Sequence, residues 1–401
     1  MHKNMFFLKQ KENKSGAARF YKKRGFKIVV AIIAIILLAS GFFAWKTENI
    51  LGKINPKGGL FQTIVHNIPG VKDTVKGEKE NRINILLLGM RGNDMPGGGL
   101  LADTIMVASI NAKDNKISLV SLPRDLFVDN PGWGNKSKIN AVYAAGEEKS
   151  AGQGIQDMKK IISDISGIDI GYAASINFKG FTNLINILGG VEITLDQPFT
   201  EAMQFDEAHV CDATVFTVPT GKFQNKTTLT GSGRLRVVKS YPLCLNPNKE
   251  CGGSFSLPAG KQTLNGEKAL CYARSRVTSS DFERAKRQQI ILQQIKEKAL
   301  SLGTLTDFGK INDMLNNLGD NVRTDMQPWE LQRIFDIYKG MQNPQLIQRV
   351  LENSEEGLLY NPPEVKETGY ILLPIGDNYD KIRDMFRNIF SLSSQSDIKP
   401  K

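Results

Sequence analysis

The sequence predicts an α/β fold, a mixed central sheet flanked by helices (α/β/α), preceded by one transmembrane helix. Three observations carry this. Short apolar runs bounded by turn residues, such as residues 83–88 (INILLL, closed by Gly89), alternate with stretches of helical spacing, as strands buried between helices do. A single stretch, residues 28–45 (IVVAIIAIILLASGFFAW), runs 18 residues without a charge; as helix it reaches about 27 Å, against a hydrocarbon core of about 30 Å. The basic excess lies ahead of that stretch, where residues 1–27 hold nine Lys/Arg against Glu12, a net +8 of the chain's +11.

Taken in order, residues 1–27 read as a cytoplasmic basic tail, 28–45 as the membrane helix and 46–80, polar with Gly, Pro and Lys, as a stalk. Residues 81–395 then form one extracytoplasmic domain. After the strand at 83–88, residues 104–110 and 117–122 read as two more, with a turn at 113–115. Ile155, Met158, Ile161, Ile162 and Ile165 fall at helical spacing within 152–166. A strand at 172–177, an amphipathic helix at 178–188 stopped by Gly189-Gly190, and a strand at 191–195 follow. Residues 205–256, rich in Gly, Thr, Asn and Pro, read as an insertion. A short helix is expected at 264–272, and Ser279 or Ser280 caps a long one reaching about Leu300, with Asp281 and Glu283 in its first turn. Helices near 307–318 and 328–339, a strand at 370–374 and a closing helix at 380–390 complete the chain. No internal repeat is visible.

Charge patterning sets the topology. The positive-inside bias keeps the short N-terminus in the cytoplasm and places the rest outside, at the cell membrane. The span is longer than a signal-peptide core and ends in Phe42, Phe43 and Trp45 rather than small residues, so a retained anchor is expected. Basic residues directly before an apolar span meet lipid headgroups; no nucleic-acid partner is expected. Three scattered histidines, His2, His66 and His209, leave no room for a His-rich metal centre. The chain has no G-x-S-x-G, Walker A or H-E-x-x-H motif. Residues 97–102 formally fit G-x-G-x-x-A, but a β-branched run follows where a dinucleotide site needs a helix. All four cysteines lie after the anchor, where disulfides persist. Cys244–Cys251 or Cys211–Cys244 is the expected bridge, and Cys271, in an apolar run, a buried thiol.

The chemistry concentrates at residues 272–289, YARSRVTSSDFERAKRQQ. At 100° per residue Arg284, Arg287 and Gln288 share one helical arc, and Ile291 and Ile295 fall inside it. The arginine face therefore continues into the buried face, while Lys286 is expected to face solvent. Arg274 and Arg276, two apart, share a face if that segment is extended. Inward guanidiniums need anionic partners, since an isolated buried charge costs several kcal/mol. Asp281 and Glu283 are too few, and planar bidentate donors suit phosphate or pyrophosphate. A second cluster follows the strand at 117–122, where Pro123 stops pairing and Arg124-Asp125 come next, in the region beyond strand ends where α/β sheets bind ligands. Asp103, Lys138 and Asn140 are further polar candidates.

These segments resemble the LytR-CpsA-Psr (LCP) family: NILLLG (84–89), ADTIMVASIN (102–111), ISLVSLPRDL (117–126), KIN (138–140), INFKGFTNLINILGGVEI (176–193), LPAGKQTLNGEKALCYARSR (257–276) and DFERAKRQQ (281–289). The resemblance spans roughly residues 82–395. It implies a phosphotransferase, a glycopolymer ligase that attaches an anionic polymer from a polyisoprenyl-pyrophosphate carrier to peptidoglycan or another envelope hydroxyl, with Mg²⁺ assisting. Carried over by position, Arg124, Lys138, Arg274, Arg276, Arg284, Arg287 and Gln288 bind the pyrophosphate. Asp103, Arg124 and Asp125 form the catalytic set, and Asp103 holds the metal or activates the acceptor hydroxyl. The helices at 155–165 and 178–188 are candidate walls for a lipid groove. The family pattern places an aspartate just after the first strand's glycine, as L-G-x-D; here Gly89-Met90-Arg91-Gly92-Asn93-Asp94 displaces it, with Asp94 as the possible replacement. A non-catalytic lipid-pyrophosphate receptor and a polyprenyl pyrophosphatase are the alternatives that this departure and the chemistry leave open.

Overall fold

The computed structural model describes residues 74–93, 99–201, 209–211, 218–230, 234–245, 251, 255–275, 280–302, 308–354, 357–363 and 368–395. The expected membrane span, Asp94 and Arg276 lie outside the described residues. Among the described residues no helix is long and apolar enough to cross a membrane.

The strands in chain order are β1 (Ile83–Met90), β2 (Ala102–Asn111), β3 (Lys116–Leu122), β4 (Phe127–Asn130), β5 (Asn135–Lys138), β6 (Tyr172–Asn177), β7 (Val191–Leu195), β8 (Phe199–Glu201), β9 (His209–Val210), β10 (Val218–Leu229), β11 (Leu235–Leu245), β12 (Phe255–Leu257), β13 (Gly260–Leu264), β14 (Val322–Thr324), β15 (Gln345–Val350), β16 (Leu359–Tyr360) and β17 (Leu373–Pro374). Six of them make the central sheet, in the order β14-β6-β1-β2-β3-β15. It is mixed, since β1 pairs parallel with β6 and antiparallel with β2, and β3 pairs antiparallel with β2 and parallel with β15.

The alternation of each strand builds the layers. On one face Leu86, Leu88, Ile105, Val107, Val120 and Leu122 pack on helices Asn140–Lys149, Gln153–Ser166 and Asp380–Arg387. On the other, Ile83, Ile85, Ile110 and Tyr172 meet the helix Pro328–Gly340. A separate core gathers β7, β8, β12 and β13 around Tyr272, Ile290 and Ile291. The predicted architecture, a mixed sheet between helices, is thus the observed one.

Several local expectations are corrected. Leu264 ends strand β13, and the helix runs Gly266–Arg274, capped by the Asn265 side chain on the Lys268 amide. Arg274 is therefore helical, and no extended pair with Arg276 includes it. Of the two expected bridges Cys211–Cys244 forms and Cys244–Cys251 does not; Cys271 is buried but is no thiol, since it bridges Cys251. Strand β12 folds the end of the insertion back against β8, bringing Cys251 beneath the helix that carries Cys271. Residues 74–80, read as the end of the stalk, pack on the domain. Val75 is buried, Lys76 donates its amide to the Tyr172 hydroxyl, and Glu78 pairs with Arg333. The edge strands β14 and β15 and the helix Asn140–Lys149 carry no strong periodicity and went unseen in the sequence. The late strand expected over 370–374 shrinks to β17.

Candidate functional site

Three segments converge past the ends of β1 and β3. A β-bulge sets the first residue. Gly89 lies opposite Thr104 and Met90 opposite Ala102, which leaves Asp103 as the extra residue of β2. Such a bulge re-aims a side chain, and here the Asp103 carboxylate meets Arg124. Gly89 permits the close approach, because a Cβ there would lie 2.9 Å from the Thr104 Cβ.

Arg124 follows β3 and Pro123. Its backbone is held by the Asn140 amide, 3.3 Å from the Arg124 carbonyl, and by the Ile139 amide, 2.8 Å from the Leu126 carbonyl. Its guanidinium lies at the centre of three carboxylates, with Nη1 2.9 Å from Asp103 Oδ1, and Nε 3.7 Å from Asp125 Oδ2 and 3.9 Å from Asp281 Oδ1. Burial disfavours its charge, but Asp103, Asp281 and Asp125 outweigh burial and raise Arg124 above the ordinary arginine value. Lys138, at the end of β5, closes on Asp125 at 2.7 Å. Arg284 Nη2 lies 2.9 Å from Asp281 Oδ1 and donates to the Asp103 carbonyl at 3.2 Å. Asp103, Arg124, Asp125, Lys138, Asp281 and Arg284 therefore form one cluster.

The helix Asp281–Ser301 presents these groups differently from the sequence-derived arc. Ser280 caps it, accepting from the Glu283 amide at 3.1 Å. Arg284 and Arg287 point inward as expected. Lys286, expected in solvent, is 7% exposed and pairs with Glu283 at 2.9 Å. Gln289 is also buried, donating to Ser121 Oγ and the Arg349 carbonyl. The first turns are covered on more than one side, so they have no solvent face for a lysine. We expect Arg284→Ala and Lys286→Ala each to cost about 1 kcal/mol, because Asp281 keeps Arg124 at 3.9 Å and Glu283 is partly solvated. Turnover separates them: a loss of about 100-fold for Arg284 and a few-fold at most for Lys286. Equal turnover losses, with urea midpoints as the stability check, would remove Arg284 from the site.

Arg287, expected at the pyrophosphate, is held by two carbonyls and two rings. Its Nε donates to the Tyr272 carbonyl at 3.1 Å and its Nη2 to the Ser275 carbonyl, while its guanidinium lies 5.2 Å from the Phe199 ring and 5.8 Å from that of Tyr272. These contacts clamp the C-terminal end of helix Gly266–Arg274 and so fix Arg274. Burial pushes the Tyr272 hydroxyl up to about 12; Arg287 opposes the shift and Glu283 adds to it. The folded state thus keeps this proton longer than the unfolded state. The associated stability, about 2–3 kcal/mol, is full below pH 10 and lost as pH climbs from 10 to 12. Tyr272→Phe should flatten that alkaline loss in denaturant titrations. Tyr172, shifted the same way by burial, retains its share.

Beside the charged cluster opens a cavity of about 280 Å³, lined among others by Leu87, Met106, Phe181, Leu184, Leu292 and Ile295. Its lining includes Arg274 and Gln288, with Gln288 donating to the Ala273 carbonyl at 3.3 Å and the Arg274 guanidinium 5.4 Å from the Phe178 ring. Burial first, and then the neighbouring Arg91, depress Arg274 well below the ordinary arginine range; Asp103 and Glu267 offset only part. Burial lowers Arg91 as well, with Asp103 opposing. Like charges that disfavour one another in a partly buried setting favour an anion beside them. Helix Phe178–Ile187 walls this cavity as expected. Helix Gln153–Ser166 does not, since its isoleucines are spent in the opposite core.

Arg91, Phe178 and Asp281 lie at the candidate site, and the sequence reading assigned them no part in it. Asp281 read as a helix-start acid, and Arg91 sits in a glycine-rich loop without pattern. Among the described residues no group of three or more His, Cys, Asp or Glu could hold a metal ion. Mg²⁺ commonly takes one or two carboxylates and completes its shell with phosphate oxygens and water, so the single carboxylate Asp103 meets the smaller requirement.

The chain belongs to the LytR_cpsA_psr family, whose profile matches residues 61–367. The polyisoprenyl-teichoic acid–peptidoglycan teichoic acid transferase TagU of Enterococcus faecalis is 26% identical over 328 residues, covering 79% of this chain and 85% of that protein. The transferase of the same name from Bacillus mycoides is 25% identical over 339 residues, covering 84% and 87%. Two solved structures share the fold: protein gbs0355 of Streptococcus agalactiae, TM-score 0.54 at 19% identity, covering 82% of this chain and 94% of that one, and an Enterococcus faecalis protein described as a transcriptional regulator, TM-score 0.52 at 23% identity, covering 80% and 93%.

Proposed function

We propose that this chain is a membrane-anchored phosphotransferase, which moves an anionic glycopolymer from a polyisoprenyl-pyrophosphate carrier to a hydroxyl of peptidoglycan or another envelope acceptor. The observation that carries the reading is the apolar cavity with the Arg274 guanidinium in its lining, complementary to a long hydrocarbon tail with a doubly phosphorylated head. The apolar stretch at 28–45 would anchor the chain with residues 1–27 in the cytoplasm, and the domain would work outside on the carrier lipid.

In this reading the tail lies among Phe181, Leu184, Leu292 and Ile295. Arg274, Arg91 and Gln288 face the pyrophosphate from the side of the cavity, Arg124, Lys138 and Arg284 from the charged cluster, Arg287 supports them from beneath the helix end, and Arg276 joins them by family position. The acceptor oxygen attacks the phosphorus that carries the polymer. The bond to the bridging oxygen breaks, and polyprenyl phosphate leaves with the electron pair. Phosphoryl transfer of this kind needs positioning and charge neutralisation more than a covalent nucleophile. Arg124 holds one oxygen of Asp103, and the other serves either Mg²⁺ or the acceptor's proton; both uses need the same atom. When bound, Mg²⁺ supplies further neutralisation of the phosphates, with Asp103 as its protein ligand and Asp94 as the second candidate. Asp125 orients Arg124 and Lys138.

The test uses the full chain in detergent with a polyprenyl-pyrophosphate glycopolymer and peptidoglycan fragments. Polyprenyl phosphate should appear only with both acceptor and Mg²⁺, and Asp103→Asn should stop it. Donor that copurifies and never turns over would make the chain a receptor, and release without any acceptor would make it a pyrophosphatase.

A further inference from the structure

The insertion contributes a feature that the site does not use. Strands β10 and β11 form a long antiparallel ribbon, which β9 extends only near its base, at Leu243 and Cys244. The Cys211–Cys244 bridge staples that base. Beyond it both faces are bare. The register puts Phe223 and Val237 on one face together with Leu235, and these are 60%, 51% and 72% exposed. The other face carries Lys226 directly opposite Lys239, with Arg236 beside them. Residues 218–245 hold five cations, Lys222, Lys226, Arg234, Arg236 and Lys239, and no acid.

Each of these facts is unfavourable in water alone. A two-stranded ribbon is marginal by itself, and like charges directly opposite each other on one face destabilise it. An anionic partner relieves the second, and only one with an apolar layer relieves the exposed Phe223, Leu235 and Val237. A soluble phosphate polymer would match the cations and leave the apolar face wet. We propose that the ribbon lies on the surface of an anionic phospholipid bilayer. Its apolar face sits below the headgroups, and the stems of Lys226, Arg236 and Lys239 carry their charges to the lipid phosphates. In the sequence the ribbon lies between β8 and β12, which pair with each other, and Phe199 of β8 lies against Tyr272 and Arg287. Docking would hold the cavity near the lipid surface, and it stands whether or not the chain transfers polymer.

The full chain carrying Leu235→Trp is reconstituted into vesicles of phosphatidylglycerol and phosphatidylcholine, or of phosphatidylcholine alone, each with brominated acyl chains. After subtraction of the parent protein's tryptophan signal, quenching at position 235 should be about threefold greater in the anionic vesicles. It should fall to the phosphatidylcholine level in Lys226→Gln/Arg236→Gln/Lys239→Gln. Mass before and after reduction, showing the Cys211–Cys244 bridge intact, confirms that the ribbon still forms. No quenching in either vesicle, or equal quenching in both, overturns the proposal. So does quenching that follows protein density rather than lipid charge, which would mean a second copy covers the ribbon. A change of emission with soluble poly(glycerol phosphate) but not with lipid would also overturn it.

Discussion

Arg124→Gln should lower transfer by about a thousandfold, the loss expected when a preorganised cationic donor is removed from a phosphoryl-transfer site. The substitution has a second consequence that tests the geometry separately. Arg124 lies within 2.9 Å of Asp103, 3.7 Å of Asp125 and 3.9 Å of Asp281. Without it three carboxylates face one another, and Lys138 and Arg284 answer only for Asp125 and Asp281. These side chains keep some contact with water, so the stability cost should be about 2 kcal/mol, below that of a fully buried pair. Adding Asp103→Asn should recover much of that stability and none of the transfer. Turnover within tenfold of the parent would place the reaction elsewhere; a recovery of both would mean that Arg124 acts only through the fold.

Leu292→Trp tests the cavity rather than the charges. Leu292 is half-buried on the cavity wall, so a larger ring fills empty space with little repacking, and the stability change should stay under about 1.5 kcal/mol. For a long-chain polyprenyl donor KM should rise by roughly 30-fold, the equivalent of two or three buried methylenes displaced into water. A donor with one or two isoprene units should be turned over as by the parent. If both donors suffered equally, the hydrocarbon tail would not lie in this cavity.

Much of this was legible in the chain. Residues 83–88, 104–110 and 117–122 are short apolar runs between turns, and they became β1, β2 and β3 because a strand covered on both faces has no alternative to apolar side chains. The Arg124-Asp125 pair was visible because Pro123 marks a strand end. The inward turn of Arg284 and Arg287 followed from helical periodicity alone. Periodicity failed at Lys286 for a definite reason: it reports one buried stripe, whereas the first turns of this helix are enclosed on several sides and pair even their lysine. The same limit hid β14 and β15, short edge strands whose apolar pattern is too brief to rise above the background.

The sequence by itself determined the layered α/β fold, the residue types of the site and the family, since hydrophobic period and local motifs are properties of neighbours along the chain. Only the tertiary structure decided that Asp103 is the bulged residue aimed at Arg124, that Asp281 and Arg91 lie beside it, that Arg287 holds a helix end, and that Cys271 is bridged to Cys251 rather than left as a thiol. Those facts depend on contacts between segments tens to hundreds of residues apart. Such contacts are fixed by register, burial and charge compensation in the folded body, and no local pattern encodes them.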